Sequence, residues 1–218
     1  MPFSPLYLLV LILLFGFLLA FIQVGLLTIA FDKLGLSPDT GLLLLFSALF
    51  GSLVNLPVVR VSAEEPPTPP PQWIGLLRGS QRRFAGTTLI AVNVGGCIIP
   101  TLFSLYLLRH TPLPLFDVVA AIVVVGAVSY HTSRPIPRLG IAMPPLIAPL
   151  TAALIAILVN AEHSAPLAYI SGTLGVLLGA DLLRLKDVRQ LGAPLASIGG
   201  AGTFDGIFMT GIVAVLLA

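Results

Sequence analysis

Apolar runs of about 20 residues recur along the chain, and that length decides its solvent. At about 1.5 Å of rise per residue, 20 helical residues cover the roughly 30 Å of a bilayer's hydrocarbon core. Of the 218 residues, 57% are hydrophobic and 9% charged, against roughly 25% charged in an ordinary soluble domain. A soluble fold could not hide so much apolar surface, so the partner is the lipid bilayer and the expected fold class is all-α. The pattern predicts a single polytopic transmembrane helical bundle over residues 1–218.

Spans are expected at about 6–30, 41–59, 84–108, 114–131, 144–160 and 166–184. A seventh, shorter run from about 204 to the C-terminus either re-enters the membrane or starts from a glycine-rich loop plugging one end of the bundle. The first run carries no early Lys or Arg and exceeds the 7 to 15 apolar residues of a signal peptide, so it is expected to be a retained span. Between spans two and three, residues 60–83 contain EEPPTPPP, which can neither form a helix nor pack a core and predicts an extended loop.

Basic residues orient this layout. The loops after spans two, four and six hold Arg60, Arg78, Arg82, Arg83, Arg134, Arg138, Arg184, Lys186 and Arg189, whereas the opposite side holds Lys33 and Arg109. By the positive-inside rule those loops and the N-terminus face the cytoplasm and the C-terminus lies outside, as in an integral protein of the inner (plasma) membrane. The net charge of +2 is small and scattered, which excludes a nucleic-acid surface. Cys97 is the single cysteine, so neither an internal disulfide nor a CxxC-type zinc site can form.

Within the spans, the rare polar residues converge on one depth. Asp181 lies near the end of span six and Asp205 opens the final helix. Asn55 ends span two, Asn93 lies about a third of the way along span three, and His131 ends span four. All five fall in the cytoplasmic half, where a buried ionisable group needs a cavity or a partner. Each has a structural alternative. Asp181 can pair with Arg184 three residues on, Asp205 can stabilise a helix N-terminus, and the asparagines can bridge helices. His131 needs no explanation if it is solvated at an interface.

Glycines Gly172, Gly175 and Gly179 line one side of span six, where a neighbouring helix can approach closely, and Asp181 points away from that stripe. Gly199, Gly200, Gly202 and Gly206 suggest backbone N–H groups that bind an anion, but no GK[ST] follows, and Asp205 would repel phosphate. Carboxylates with Asn and His instead suit a divalent metal ion, zinc or another divalent cation. Such an ion lowers the pKa of a bound water and makes hydroxide available for hydrolysis. Catalytic Asp181 and Asp205, with His131, Asn55 and Asn93 as further metal ligands, form the expected site of a metal-dependent hydrolase.

Five segments carry a resemblance: GSLVNLPV around Asn55, AVNVGGCIIPT around Asn93, SRPIPRLGIAMPPLIAPL from Ser133, YISGTLGVLLGADLLRL, and ASIGGAGTFDGIFMTGI. Together they resemble a prokaryotic multi-pass membrane family catalogued as a domain of unknown function and described as intramembrane metalloenzymes of the TiME type. The likeness covers nearly the whole chain. It implies a helical membrane fold with a metal centre that includes Asp181 and Asp205, and it names no substrate.

Two other functions fit the same residues. In an intramembrane aspartyl protease, Asp181 and Asp205 would share one proton and activate water, although the GAD and FDG segments match the GxGD pattern only loosely. An ion-coupled transporter would use glycine-broken helices beside carboxylates, against which stand the absence of a clear internal repeat and the off-centre depth of the cluster. The substrate is unknown, and an oligomer is compatible with the sequence.

Overall fold

The structure, a computed structural model, describes residues 24–62, 86–136, 140–190, 192–200 and 206–218. Most of the expected first span, most of the proline-rich loop and Asp205 lie outside the described residues. The described chain is mostly helical, in seven α-helices: α1 (Val24–Lys33), α2 (Pro38–Gly51), α3 (Ile99–His110), α4 (Leu115–Thr132), α5 (Ile147–Val159), α6 (Ser164–Val176) and α7 (Gly206–Leu217). Single π-helical turns precede α3 (Val94–Ile98) and extend α6 (Leu177–Leu182).

Two helical stretches, Leu115–Thr132 and Ser164–Leu182, are long and apolar enough to cross a membrane, and α1 with α2 makes a third if that pair, bent by 109°, is one broken span. Helices α5 and α7 are apolar but shorter. At about 1.5 Å per residue, the 13 residues of α5 reach about 20 Å.

The all-α expectation is wrong in one respect, because the described residues also form two sheets. Strands β1 (Asn55–Ser62), β2 (Thr87–Asn93) and β5 (Leu195–Ile198) make one, with β2 central, antiparallel to β1 and parallel to β5. Strands β3 (Arg134–Ile136) and β4 (Gly140–Ala142) pair between α4 and α5. Helical spans over 41–59 and 84–108 are therefore corrected: α2 ends at Gly51, and residues 87–93 are extended. The apolar runs there are rich in Val, Ile and Thr, whose branched Cβ favours a pleated chain. Hydrophobicity alone does not separate such a strand from a buried helix. Pro57 is tolerated because β1 is an edge strand, with a register irregularity between Pro57 and Val59.

Helix α6 is the axis of the bundle, packing on α3, α4, α5 and α7 with nearly every residue buried. Small residues permit this. A Cβ on Gly172 would meet Ala152 of α5 and Ala214 of α7, one on Gly175 would stand 2.7 Å from the Val125 Cβ, and one on Gly179 would run into the Gly126 backbone of α4. Such close approach lets the helix backbones pack directly against one another. The expected close helix contact along this stripe is present, with Gly172 turned toward α5 and α7 and the other two toward α4.

Tethers define the two ends. At one, Asn160 Nδ2 donates to Asp117 Oδ2 (3.2 Å), Ser164 Oγ to the Ala218 carbonyl (3.2 Å), and Lys33 Nζ to the Val215 carbonyl (3.3 Å). At the other, Arg184 joins the end of α6 to the end of α4. Its guanidinium donates to the Tyr130 and Ser133 carbonyls at 2.7 and 2.8 Å and lies 4.4 Å from the Tyr130 ring centre. The three-stranded sheet caps this second end, where Asn55, Asn93, His131 and Asp181 all lie.

Candidate functional site

At the junction of β2 and the first π turn sits Asn93, fully buried and directly opposite Asn55 in the β1–β2 register. Its Nδ2 donates to the Ser52 carbonyl (2.7 Å) and to Asn55 Oδ1 (3.1 Å), and its Oδ1 accepts the Gly96 N–H (2.8 Å). One side chain thus ties together the end of α2, the start of β1 and the π turn before α3. Gly95 makes the junction possible, since any Cβ there would run into the backbone of Ala48, Gly51 and Ser52.

Ser197 of β5 extends the network, its Oγ donating to Asn55 Oδ1 at 2.5 Å. Two residues on, Gly199 has φ +84°, in the region that suits glycine, and a Cβ on it would lie 2.7 Å from the Cys97 Cβ and from the Gly96 carbonyl carbon. Its N–H donates to Asp181 Oδ2 at 2.7 Å. One N–H of the glycine-rich segment, that of Gly199, is thus taken by the protein's own Asp181 side chain.

Asp181 lies in the second π turn. Both π turns flank this network, although π-helix accounts for well under 1% of residues in proteins generally and single π turns concentrate at functional sites. A pair between Asp181 and Arg184 does not form. Arg184 Nη1 instead bonds Asp187 Oδ2 at 3.0 Å, and its remaining donors go to Tyr130 and Ser133. Among the described residues, the second Asp181 oxygen takes no hydrogen bond.

The five expected site residues therefore divide. Asn55, Asn93 and Asp181 are joined through Ser197, Gly199 and Gly96. His131 is at the same end but is exposed at the end of α4, with its ring edge on Tyr130 at 5.5 Å between centroids. Asp205 lies outside the described residues. Among the described residues, no group of three His, Cys, Asp or Glu side chains stands close enough to hold a metal ion. The Asn55 oxygen accepts from the Asn93 and Ser197 side chains, and Asn93 bonds the Ser52 and Gly96 backbone, so the two amides tie this junction together. Ser197 was not singled out from sequence; its signal was its place two residues before the glycine pair.

Residues 49–217 match the model of a family described as Protein of unknown function (DUF1614). The chain belongs to that family. The match spans all of this network together with His131 and Asp205, and it leaves out α1. No curated protein and no solved structure matches the chain.

The Gly199 geometry makes a direct prediction. Gly199→Ala adds both left-handed strain and a clash, and is expected to cost about 2 kcal/mol or more. Gly35→Ala, at φ +72° with nothing within 4 Å, carries only the strain and is expected to cost about 1 kcal/mol. Thermal unfolding of both variants in detergent measures the difference; equal losses would mean that Gly199 is not held against Cys97.

Proposed function

We propose that this DUF1614 protein is a polytopic integral membrane metalloenzyme, a metal-dependent hydrolase whose centre lies at the sheet-capped end of the bundle. The observation that carries the reading is the Asp181 carboxylate, held in a π turn by the Gly199 N–H while the nearest arginine in sequence is committed to Asp187. A carboxylate kept at a helix end, oriented by backbone and not neutralised by its neighbour, suits a hard divalent cation.

In this reading Asp181 and Asp205 are the ligands, His131 is a further candidate, and Asn55 and Asn93 position the Gly96 and Gly199 backbone. A divalent ion held by Asp181 and Asp205 would supply Lewis acidity at this end of the bundle. The residues then have separate tasks: Asp181 binds, Gly199 fixes its Oδ2, and Asn93 holds the π turn against which Gly199 rests. The resemblance to the TiME type supports the metal, and the seven-span bundle is part of the same proposal. A cytoplasmic sheet end is part of this reading and is supported by the charge asymmetry, with Arg60, Arg134, Arg184, Lys186 and Arg189 at that end against Lys33 and Arg109 at the other.

Elemental analysis of the full chain purified in detergent tests the centre. About one divalent ion per chain is expected, falling to a small fraction in Asp181→Ala and in Asp205→Ala, while Asp187→Ala keeps its metal. A metal-free wild-type protein would overturn the reading. Hydrolytic activity that resists chelators but needs both Asp181 and Asp205 would replace it with a carboxylate dyad.

A further inference from the structure

The sheet that caps the site carries an apolar edge, with exposed basic residues at its end, that the site does not use. In and just before β1, Leu53, Val54, Leu56, Val58 and Val59 are 45 to 71% exposed, although they are apolar and adjoin one another in the chain. Val61, near the end of β1, and Leu185 both pack against the buried cluster of Ile90, Val188 and Ala193. Exposed cations stand next to these residues in the chain. Arg60 adjoins Val61, Lys186 adjoins Leu185, and Arg189 adjoins Val188, and all three cations are exposed. The closest described carboxylate in sequence, Asp187, is taken by Arg184. Among the described residues, no ion pair neutralises Arg60, Lys186 or Arg189.

An apolar strand with exposed cations near its end has the two halves of an interfacial lipid contact. Apolar side chains lower their free energy in the acyl region, and long basic side chains reach from there to the phosphates. We propose that β1 together with Arg60, Lys186 and Arg189 forms a docking surface for anionic phospholipid headgroups, which seats the sheet end on its leaflet. Charge complementarity selects this occupant, because three exposed cations disfavour an apolar protein partner and favour phosphate. The surface would bring lipid to the rim of the Asn55–Asn93–Asp181 network, since β1 starts at Asn55. The proposal rests on the membrane placement and is independent of any metal.

Native mass spectrometry of the full chain, released from detergent with equal phosphatidylglycerol and phosphatidylcholine added, is the test. A detergent requirement for extraction reports the membrane placement separately, before lipid is added. Phosphatidylglycerol is expected to be retained roughly tenfold over phosphatidylcholine, less so as salt rises. Combined Arg60→Gln, Lys186→Gln and Arg189→Gln should abolish the preference. Each single change should lose part of it while keeping the parent's helical circular dichroism, which separates lipid binding from a folding defect in the triple variant. Lys33→Gln with Arg109→Gln, at the opposite end, should leave it intact. Equal retention of the two lipids, or an equal loss in the opposite-end control, would overturn the proposal.

Discussion

Gly179→Val is expected to destabilise the bundle by about 3 kcal/mol or more, because the added atoms land on backbone. The obstacle is the Gly126 carbonyl of α4, which cannot rotate aside as a side chain can. Separating α4 from α6 enough to admit valine would also loosen Val125 from Gly175 one turn away. For a chain of this size the unfolding midpoint should fall by about 6 to 12 °C, read by circular dichroism during heating in detergent. Gly25→Ala, with nothing within 4 Å of its Cβ, is the matched control and should leave the midpoint nearly unchanged. A Gly179→Val protein that melts with that control would show that α4 and α6 do not pack as described.

The second large effect is expected from Asn93→Ala. The change removes three hydrogen bonds and leaves the Gly96 N–H and the Ser52 carbonyl without the partner they had in a fully buried position. An orphaned buried group costs its desolvation, so a loss of about 2 to 4 kcal/mol is expected. Asn55→Ala, at a half-buried residue, should cost about 1 kcal/mol. The two should not add, because they share the 3.1 Å amide contact; a double-mutant cycle by thermal unfolding measures the coupling. Additive losses would mean that the two asparagines act independently. Asn93→Ala also separates scaffold from ligand: metal content that survives the change, in protein that is still folded, assigns Asn93 to positioning.

Much of this arrangement was legible in the chain. Runs of apolar residues marked the helices, the spacing of Gly172, Gly175 and Gly179 marked where a neighbouring helix would press against α6, and alternation of the spans put Asn55, Asn93, His131 and Asp181 at one end. Those signals are local, because a helix repeats every few residues and its composition reports its environment. The strands were hidden for the same reason: in an apolar chain the valines of β1 and β2 have no polar alternation to betray a period of two. The partner of Arg184 was equally hidden, with a carboxylate three residues before it and another three residues after. Spacing treats Asp181 and Asp187 alike, and the fold separates them by turning Asp181 toward Gly199.

The sequence by itself determined that this is an apolar, mostly helical chain and which rare polar residues share an end, because hydrophobic runs and their alternation are one-dimensional quantities. Only the tertiary structure decided that Ser197 and Gly199 close onto Asn55 and Asp181, and that Asn93 bonds the Ser52 and Gly96 backbone. Those bonds join residues as far as 142 positions apart, and such contacts depend on how sheet and helices meet.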